Sequence, residues 1–598
     1  MTMTKKHMTE RPVLQTDRPD LLDVVDEINW HVCCTTTPSG EATSHQRLTT
    51  MIKSAIKKVL IVGGGTSGWM TASYLTKTFG TAVEVTVVES ANIRTIGVGE
   101  ATFSTLKLFF DHLGLQERDW MPHCSASYKL AIRFVNWTKN KGHFYHPFER
   151  YRKTSGFDAG KWWLKLKRHE AFDYACFATP YLCDAMRSPR FLDGTVYDSK
   201  VSSYYSEQSV PPNTRIAGHE VQYPYGYHFN AAELAAYLQS YAIDRGALRI
   251  LDDVVAAPLS ADGAVAGVQT KEHGLLEADL FIDCTGFRGL LINQALGEPF
   301  ISFNDSLLND SAVAIQVPRD VERDGMRPYT TATAHRAGWS WNIPLYGRDG
   351  TGYVYCSKFI DKDQAENEFR QFLGPAAANS PANHIKMRIG RSVNSWVKNC
   401  VAIGLASGFV EPLESTGIFF IQHGIEELVA HFPGPKGVDE NSVAAYNKSV
   451  AEVIDGVREF LTIHYFASDR DDTPFWRATK EVELPEALAE RLRTWKAALP
   501  TARTIYPWYH GFEDYSWSVM LLGLNYRPQA YPAMMDVLDD DKAEMMFRDI
   551  KAEAADLTAR LPTVYEYLTH MRKEARSERR RPEREASKQR GGERRSRL

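Results

Sequence analysis

An apolar run, Val59-Leu60-Ile61-Val62, leads directly into Gly63-x-Gly65-x-x-Gly68, and helical spacing follows over 69–79. No other feature constrains the chain as strongly. Glycines between a strand and a helix allow a tight turn and close approach of a pyrophosphate. The helix start adds free N–H groups and a partial positive charge. A second apolar run over 83–88 ends at Glu89. It lies about 20 residues past the glycines, where a carboxylate takes the hydroxyl pair of an adenosine ribose. A lone glycine motif is weak; strand, glycines, helix, strand and acid together predict a bound dinucleotide. The competing reading is a glycine-rich turn in a nucleotide-free α/β protein. Candidate cofactor contacts are Gly63, Gly65, Thr66, Ser67, Gly68 and Glu89, joined by Gly99, Glu100 and Ala101 in a second glycine-bearing stretch at 96–102.

Composition sets the outer limits. A chain of 598 residues predicts two to four domains, or one elaborated α/β unit. With 43% hydrophobic and 24% charged residues it is an ordinary globular sequence. A net charge of -4 argues against a chain-wide role on nucleic acid or membrane. No apolar stretch approaches the roughly 18–20 residues of a membrane-spanning helix. The basic start, MTMTKKHMTERP, lacks the apolar segment of a signal peptide. The 8 cysteines form no CxxC pair, which predicts reduced thiols, a cytoplasmic location and no metal site.

Along the chain, 1–55 is polar and predicts a disordered extension, with a short helix over 21–30. SYKLAIRF at 127–134 alternates with period two and predicts one strand. Tyr128, Leu130, Ile132 and Phe134 share one face, so Lys129 is directed into solvent or into a polar cavity. The aromatic-rich stretch 140–225 reads as an insertion that builds a pocket, after which the nucleotide fold resumes near Tyr227 with a helix over 231–245. A short strand at 280–284 ends in Thr285-Gly286 and is expected to close over the cofactor near the first glycine loop. Strands follow over 330–355, with Trp339 and Trp341 on one face. At 399–420 a strand and a small-residue loop lead to Glu414-Ser415-Thr416-Gly417, which opens a helix whose N–H groups suit a flavin ring or a small anion. Residues 425–568 are mainly helical by periodicity, and the Arg- and Glu-rich tail is expected to be disordered. The domains expected are an extension at 1–55, a cofactor-binding module at 56–430, a helical substrate-binding region at 431–571 and a tail at 572–598. No second glycine motif follows a strand, so nothing obvious binds a nicotinamide nucleotide.

These stretches together resemble the flavin-dependent tryptophan halogenases. The resemblance covers essentially 57–568 and rests on GGGTSGWMTASYL at 63–75, IGVGEAT at 96–102, Trp339-Ser340-Trp341-Asn342-Ile343-Pro344, and EPLESTGI at 411–418. FYHPFER at 144–150 and TIYPWYHGFEDYSW at 504–517 look like the branch acting at C5 or C6 of the indole, with C5 slightly preferred. The resemblance implies an α/β fold of the two-dinucleotide-binding, Rossmann-like monooxygenase type, with an added helical C-terminal substrate region. It implies that reduced FAD and O2 convert chloride (or bromide) to hypohalous acid, which travels internally to tryptophan or a related indole. Lys129 matches the family lysine that binds the oxidant or forms a chloramine, and Glu414 the carboxylate that orients it and accepts the ring proton. Ser415 is a supporting candidate. Thr416 and Gly417 match the chloride site, and the pair Trp339 and Trp341 is thought to keep organic substrate off the flavin. His146 and Phe148 match positions flanking the indole; Tyr509, His510 and Phe512 are substrate-side by segment. A separate NAD(P)H-dependent flavin reductase is implied, with no nucleic-acid or membrane partner, and a homodimer is allowed. The rival readings are a flavin aromatic hydroxylase, a halogenase of another indole, and a non-catalytic FAD-binding or redox-sensing protein.

Overall fold

The computed structural model describes residues 55–93, 100–197, 225–505 and 512–575. The expected extension at 1–54 with its short helix, the glycines of 94–99, the aromatic residues 506–511 and the tail beyond 575 lie outside the described residues.

The apolar run opening the glycine motif is the strand Lys58–Val62, buried from Val59 onward. Burial on both faces is what a continuous apolar strand requires, and it is met in a parallel sheet. Lys58–Val62 pairs in parallel with Glu84–Glu89 on one side and Leu280–Asp283 on the other. Leu248–Leu251 extends the sheet beyond Glu84–Glu89, and Cys400–Ala402 beyond Leu280–Asp283, both in parallel. Trp396–Val397 closes that edge antiparallel. The helix Thr66–Phe79 packs against the helix Ala231–Ile243, where Ser73 Oγ donates to the Leu238 carbonyl at 3.1 Å. This is the Rossmann-like core, and the late strand ends beside the glycine loop as expected. A Cβ on Gly63 would lie 2.3 Å from the Cys284 carbonyl oxygen, and φ there is +112°.

A second sheet of seven strands carries the site. Its order is Ala382–Lys386, Ser311–Pro318, Arg348–Tyr355, Gly338–Leu345, Tyr329–Ala334, Ala131–Val135 and His143–Pro147. All pairings are antiparallel except that of Tyr329–Ala334 with Ala131–Val135.

The single strand expected over 127–134 is two. Ser127–Lys129 pairs with Gly226–Phe229 in a small three-stranded sheet, whereas Ala131–Val135 belongs to the large one. Leu130 is the joint: its N–H donates to the Pro328 carbonyl at 2.6 Å, and its carbonyl accepts from the Phe148 N–H at 3.0 Å. Backbone pairing on two fronts overrides the alternation of the sequence, and Lys129 ends a strand where the sheets meet. It does not reach solvent, being 0% exposed.

The aromatic insertion and the C-terminal helices share a core in which Tyr151, Trp162, Trp163 and Phe177 pack with Val519, Leu522, Phe547 and Ile550. The helix Glu440–Phe466 has 27 residues and is therefore about 40 Å long. The last described helix continues to 575, past the expected start of the tail at 572, and the Arg572 guanidinium lies 3.8 Å from the centre of the Tyr346 ring. Among the described residues, no helix is long and apolar enough to cross a membrane.

The glycine turn gives the first test. Gly63→Ala should weaken binding of the expected cofactor, FAD, at least about tenfold, about 1.4 kcal/mol, because a side chain meets both a left-handed backbone and the Cys284 carbonyl. Flavin titration by fluorescence quenching measures this; unchanged affinity would show that the turn relaxes freely.

Candidate active site

Two cavities lie on opposite sides of the loop at 411–417. The larger has a volume of about 720 Å³ and is bordered by Gly63 to Ser67, Glu89, Glu100, Ala101, Thr285, Trp341, Pro412, Ser415 and Gly417. Two helix starts open on it. Thr66–Phe79 has Gly65 at its N-cap and Gly417–Ala430 has Thr416. Neither helix has a side-chain cap or an acidic residue in its first turn. Uncapped N–H groups and the positive dipole end suit an anion at each. The volume, the glycine cradle and the two helix starts fit an extended dinucleotide. Gly68 serves packing: a Cβ there would lie 1.9 Å from the Gly63 carbonyl. Glu89 accepts from Arg249 Nε at 2.5 Å and from Gln239 Nε2 at 3.2 Å, and its carboxylate lies where a Gly64 side chain would be. Glu100 is half-buried at the edge of the cavity, and loss of water around it pushes its carboxyl up to about 7. Gly99 lies outside the described residues.

The smaller pocket is lined by Phe103, Ile132, His146, Phe148, Glu414, Phe512, Glu513 and Tyr515 among others. Its volume is about 30 Å³, enough for water but not for a bicyclic ring. Phe512 stacks on Phe460 with ring centres 3.8 Å apart and meets Phe103 edge-on at 5.2 Å. Tyr509 and His510 lie outside the described residues.

Glu414 and Ser415 are adjacent in the chain yet border different cavities. Ser415 makes this turn in the left-handed region, at φ +64°, a conformation that costs a non-glycine residue of order 1 kcal/mol or more. Lys129 sits in the wall between the cavities. Its Nζ donates to Ser415 Oγ at 2.9 Å and to the Thr102 carbonyl at 3.3 Å, and lies 5.1 Å from the centre of the Phe148 ring. Burial brings the ammonium down to about 7, against the pull of Glu414, which favours the charged form.

Glu414 is 1% exposed and lies against two histidines. His146 Nδ1 is 3.1 Å from both carboxylate oxygens, and His464 Nε2 is 2.7 Å from Oε1. Burial alone would raise this carboxyl; His146 and then His464 outweigh it and bring it down to about 2. The Thr416 hydroxyl is buried without a hydrogen-bond partner beside Gly417, whose residue borders the large cavity.

The two signature tryptophans differ. They share a face, with ring centres 6.2 Å apart, but only Trp341 borders the large cavity. Gly352 makes room for its indole, since a Cβ there would fall 2.1 Å from the ring. Trp339 is 1% exposed, and its Nε1–H donates to Glu411 Oε2 at 3.0 Å. Asn309 and Tyr465 donate to the same oxygen, at 2.8 and 2.5 Å. Sequence reasoning paired the tryptophans; a buried carboxylate three residues before Glu414 separates them.

Three further residues were missed. Glu513 and Tyr515 line the small pocket, and both stand in the aromatic segment that the sequence singles out. Glu513 is ion-paired with Arg150. His464 had no signal, because one histidine inside a long helix is indistinguishable from a core residue.

A family model described as tryptophan halogenase matches residues 58–540. The chain belongs to the tryptophan halogenase family. Among the relatives of this family member, a 7-chloro-L-tryptophan 6-halogenase of Kutzneria sp. (strain 744) is 52% identical over 520 residues, covering 86% of this chain and 99% of the relative. A tryptophan 6-halogenase of Streptomyces toxytricini is 52% identical over 519 residues, 86% of this chain and 98% of the relative. The crystal structure of the latter superposes with a TM-score of 0.81, covering 86% of this chain and 99% of that one at 50% identity. A tryptophan C-6 flavin-dependent halogenase (chlorinase) from taromycin biosynthesis gives a TM-score of 0.81 at 53% identity, over 86% and 100% of the two chains.

The lysine gives the second test. In NMR of protein carrying 13C-labelled lysine, the Lys129 signal should titrate with a midpoint of about 7. Glu414→Gln should move that midpoint lower, because the carboxylate favours the ammonium. A midpoint near 10.5 in the native protein would remove the burial argument.

Proposed function

We propose that the chain chlorinates the indole ring of tryptophan, or of a 7-substituted tryptophan, at C6. The observation that carries this reading is Lys129, a buried amine in the wall between a dinucleotide-sized cavity and an aromatic pocket. The C6 assignment follows the activities of the relatives about half identical to this chain, and replaces the slight sequence preference for C5. FAD is the cofactor proposed for the large cavity, held by Gly63, Gly65, Thr66, Ser67 and Gly417 through backbone N–H groups and by Glu89, Glu100 and Ala101 along the wall. When bound in reduced form, FAD supplies with O2 the oxidising equivalents that turn chloride into hypochlorous acid. A separate reductase is proposed to deliver the reduced flavin.

The chain's own residues then divide the work. Thr416 and Gly417 offer a hydroxyl and a helix start to chloride. Trp341 fills the cavity wall; Trp339 supports it from behind. Lys129 receives the oxidant at Nζ. Near neutral pH both of its forms are present: the ammonium donates to the oxygen of hypochlorous acid and polarises the O–Cl bond. The free amine instead forms an N–Cl bond, and its lost proton joins the departing hydroxide as water. Glu414 accepts the proton that leaves the halogenated carbon. His146, Phe148, Phe512 and Tyr515 border the space for the indole, and their side chains must part to admit it. Glu513 is proposed to meet the substrate's ammonium group. The helical region at 431–571 is proposed as the substrate-side cover.

Lys129→Ala is the deciding experiment. With tryptophan, chloride, O2 and a flavin reductase, chlorination should fall at least about 10²–10³-fold while flavin reoxidation continues. NMR of the native enzyme's product should show substitution at C6. Unchanged product in the variant, or a hydroxylated product from the native enzyme, would favour the hydroxylase reading instead.

A further inference from the structure

We propose that Thr330 is a cofactor-binding residue that favours reduced flavin: its hydroxyl hydrogen is committed to His228, so its oxygen accepts the N–H that a flavin ring gains on reduction. The binding part of this inference rests on the FAD reading proposed above; the direction of the hydroxyl rests on a chain of hydrogen bonds.

Ser127 and Lys129 stand two apart on the strand Ser127–Lys129 and so share a face. His228 is the register partner of Ser127 on the strand Gly226–Phe229, which brings its ring to that same face. Ser127 and His228 are 0% exposed and Thr330 is 4% exposed. Ser127 Oγ lies 2.7 Å from the Pro344 carbonyl oxygen. A carbonyl only accepts and a hydroxyl has one hydrogen, so the serine hydrogen is used there. The 3.3 Å contact between Ser127 Oγ and His228 Nδ1 then takes its hydrogen from the ring, on Nδ1. On the far side of the ring, Nε2 lies 2.9 Å from Thr330 Oγ1.

With Nδ1 protonated, Nε2 carries a hydrogen as well only if the ring is charged. Both nitrogens face hydroxyls, which bring no countercharge. Burial opposes a charge on this ring, and so do the cations of Lys129 and Arg327; together they hold it well below the ordinary histidine range. A neutral ring offers a lone pair at Nε2, and the Thr330 hydroxyl donates to it. The hydrogens therefore all point one way, from Thr330 to His228, from His228 to Ser127, and from Ser127 to the Pro344 carbonyl. His228 is the positioning residue in this chain, and Thr330 the end that meets the cavity.

Thr330 borders the large cavity together with Trp341, Ile343 and Ser415. The glycine loop and Glu89 suit the adenosine half of a dinucleotide, which leaves this wall for the ring half. Ser415 accepts from Lys129, so the same wall lies nearest the lysine proposed to receive the oxidant. A hydroxyl whose hydrogen is held from behind presents only lone pairs to the cavity. An oxidised flavin ring would meet it with the lone pair of a ring nitrogen, and the two repel. A reduced ring would meet it with an N–H, and the two bond. The chain thereby prefers the cofactor in the state that reacts with O2 and lets the oxidised form go more readily.

Anaerobic titration of the full-length protein with FAD and with dithionite-reduced FAD measures the two affinities separately. The native protein should bind the reduced form more tightly. Thr330→Val keeps the shape and removes the hydroxyl. Its affinity for reduced FAD should fall about tenfold, while that for oxidised FAD changes by less than about twofold. The same tenfold lowers the two-electron potential of the bound flavin by about 30 mV. Thr330→Ser should restore both readings. Equal losses for the two states make Thr330 a packing residue and overturn the inference, as does no loss in either. In 15N NMR of histidine-labelled protein, the His228 signals (identified by their loss in His228→Gln) should show Nδ1 protonated and Nε2 unprotonated; the reverse pattern, or two protonated nitrogens, overturns the hydroxyl direction and the inference with it. A native protein that binds FAD in neither state removes the cofactor reading as well, whereas one that binds both states equally removes this inference alone.

Discussion

A buried carboxyl keeps its charge only where its partners outweigh desolvation, and this chain buries two carboxyls three residues apart with opposite outcomes: burial raises Glu411 despite its donors, whereas two histidines hold Glu414 down. Glu411 and Glu414 are 0% and 1% exposed. Consecutive residues at the end of one long helix answer them: Tyr465 donates to Glu411 and His464 faces Glu414. The loop that carries both carboxylates therefore depends on that helix end, and everything the loop touches inherits its position. Trp339 is fixed through Glu411, Lys129 feels Glu414, and Ser415 is turned toward the large cavity.

The same burial has opposite effects on the two key groups. Lys129 has one neutral hydroxyl and one carbonyl to bond, so desolvation wins and its ammonium weakens. Glu414 has two histidines, so attraction wins and its carboxylate strengthens. An amine ready to lose its charge and a carboxylate unwilling to lose it are set on either side of Ser415. That asymmetry underlies the proposed division, in which one group handles the oxidant and the other handles the proton.

Much of this was legible in the sequence. The glycine turn, its flanking strands and helix, and the late strand ending at Thr285-Gly286 follow from local rules, because each residue's role there is set by near neighbours. Lys129 and Glu414 stood out through the stretches around them. What escaped depends on contacts distant in the chain. Period-two alternation could not show that Leu130 pairs with two partners at once. The pairing of Trp339 with Trp341 could not show that Glu411 captures one indole N–H. His464 lies 50 residues from Glu414, and nothing near it marks it.

The helix Glu440–Phe466 ends before the pocket segment around Phe512 begins. The groups that manage charge are thus anchored in the framework, while Phe512, Glu513, Tyr515 and Ser516, part of the wall of the proposed substrate pocket, come from a later stretch of chain. Variation in that stretch can reshape which ring is admitted, and which of its carbons is presented, without disturbing the protons behind it. A fold organised this way can diversify its choice of substrate while its chemistry stays fixed.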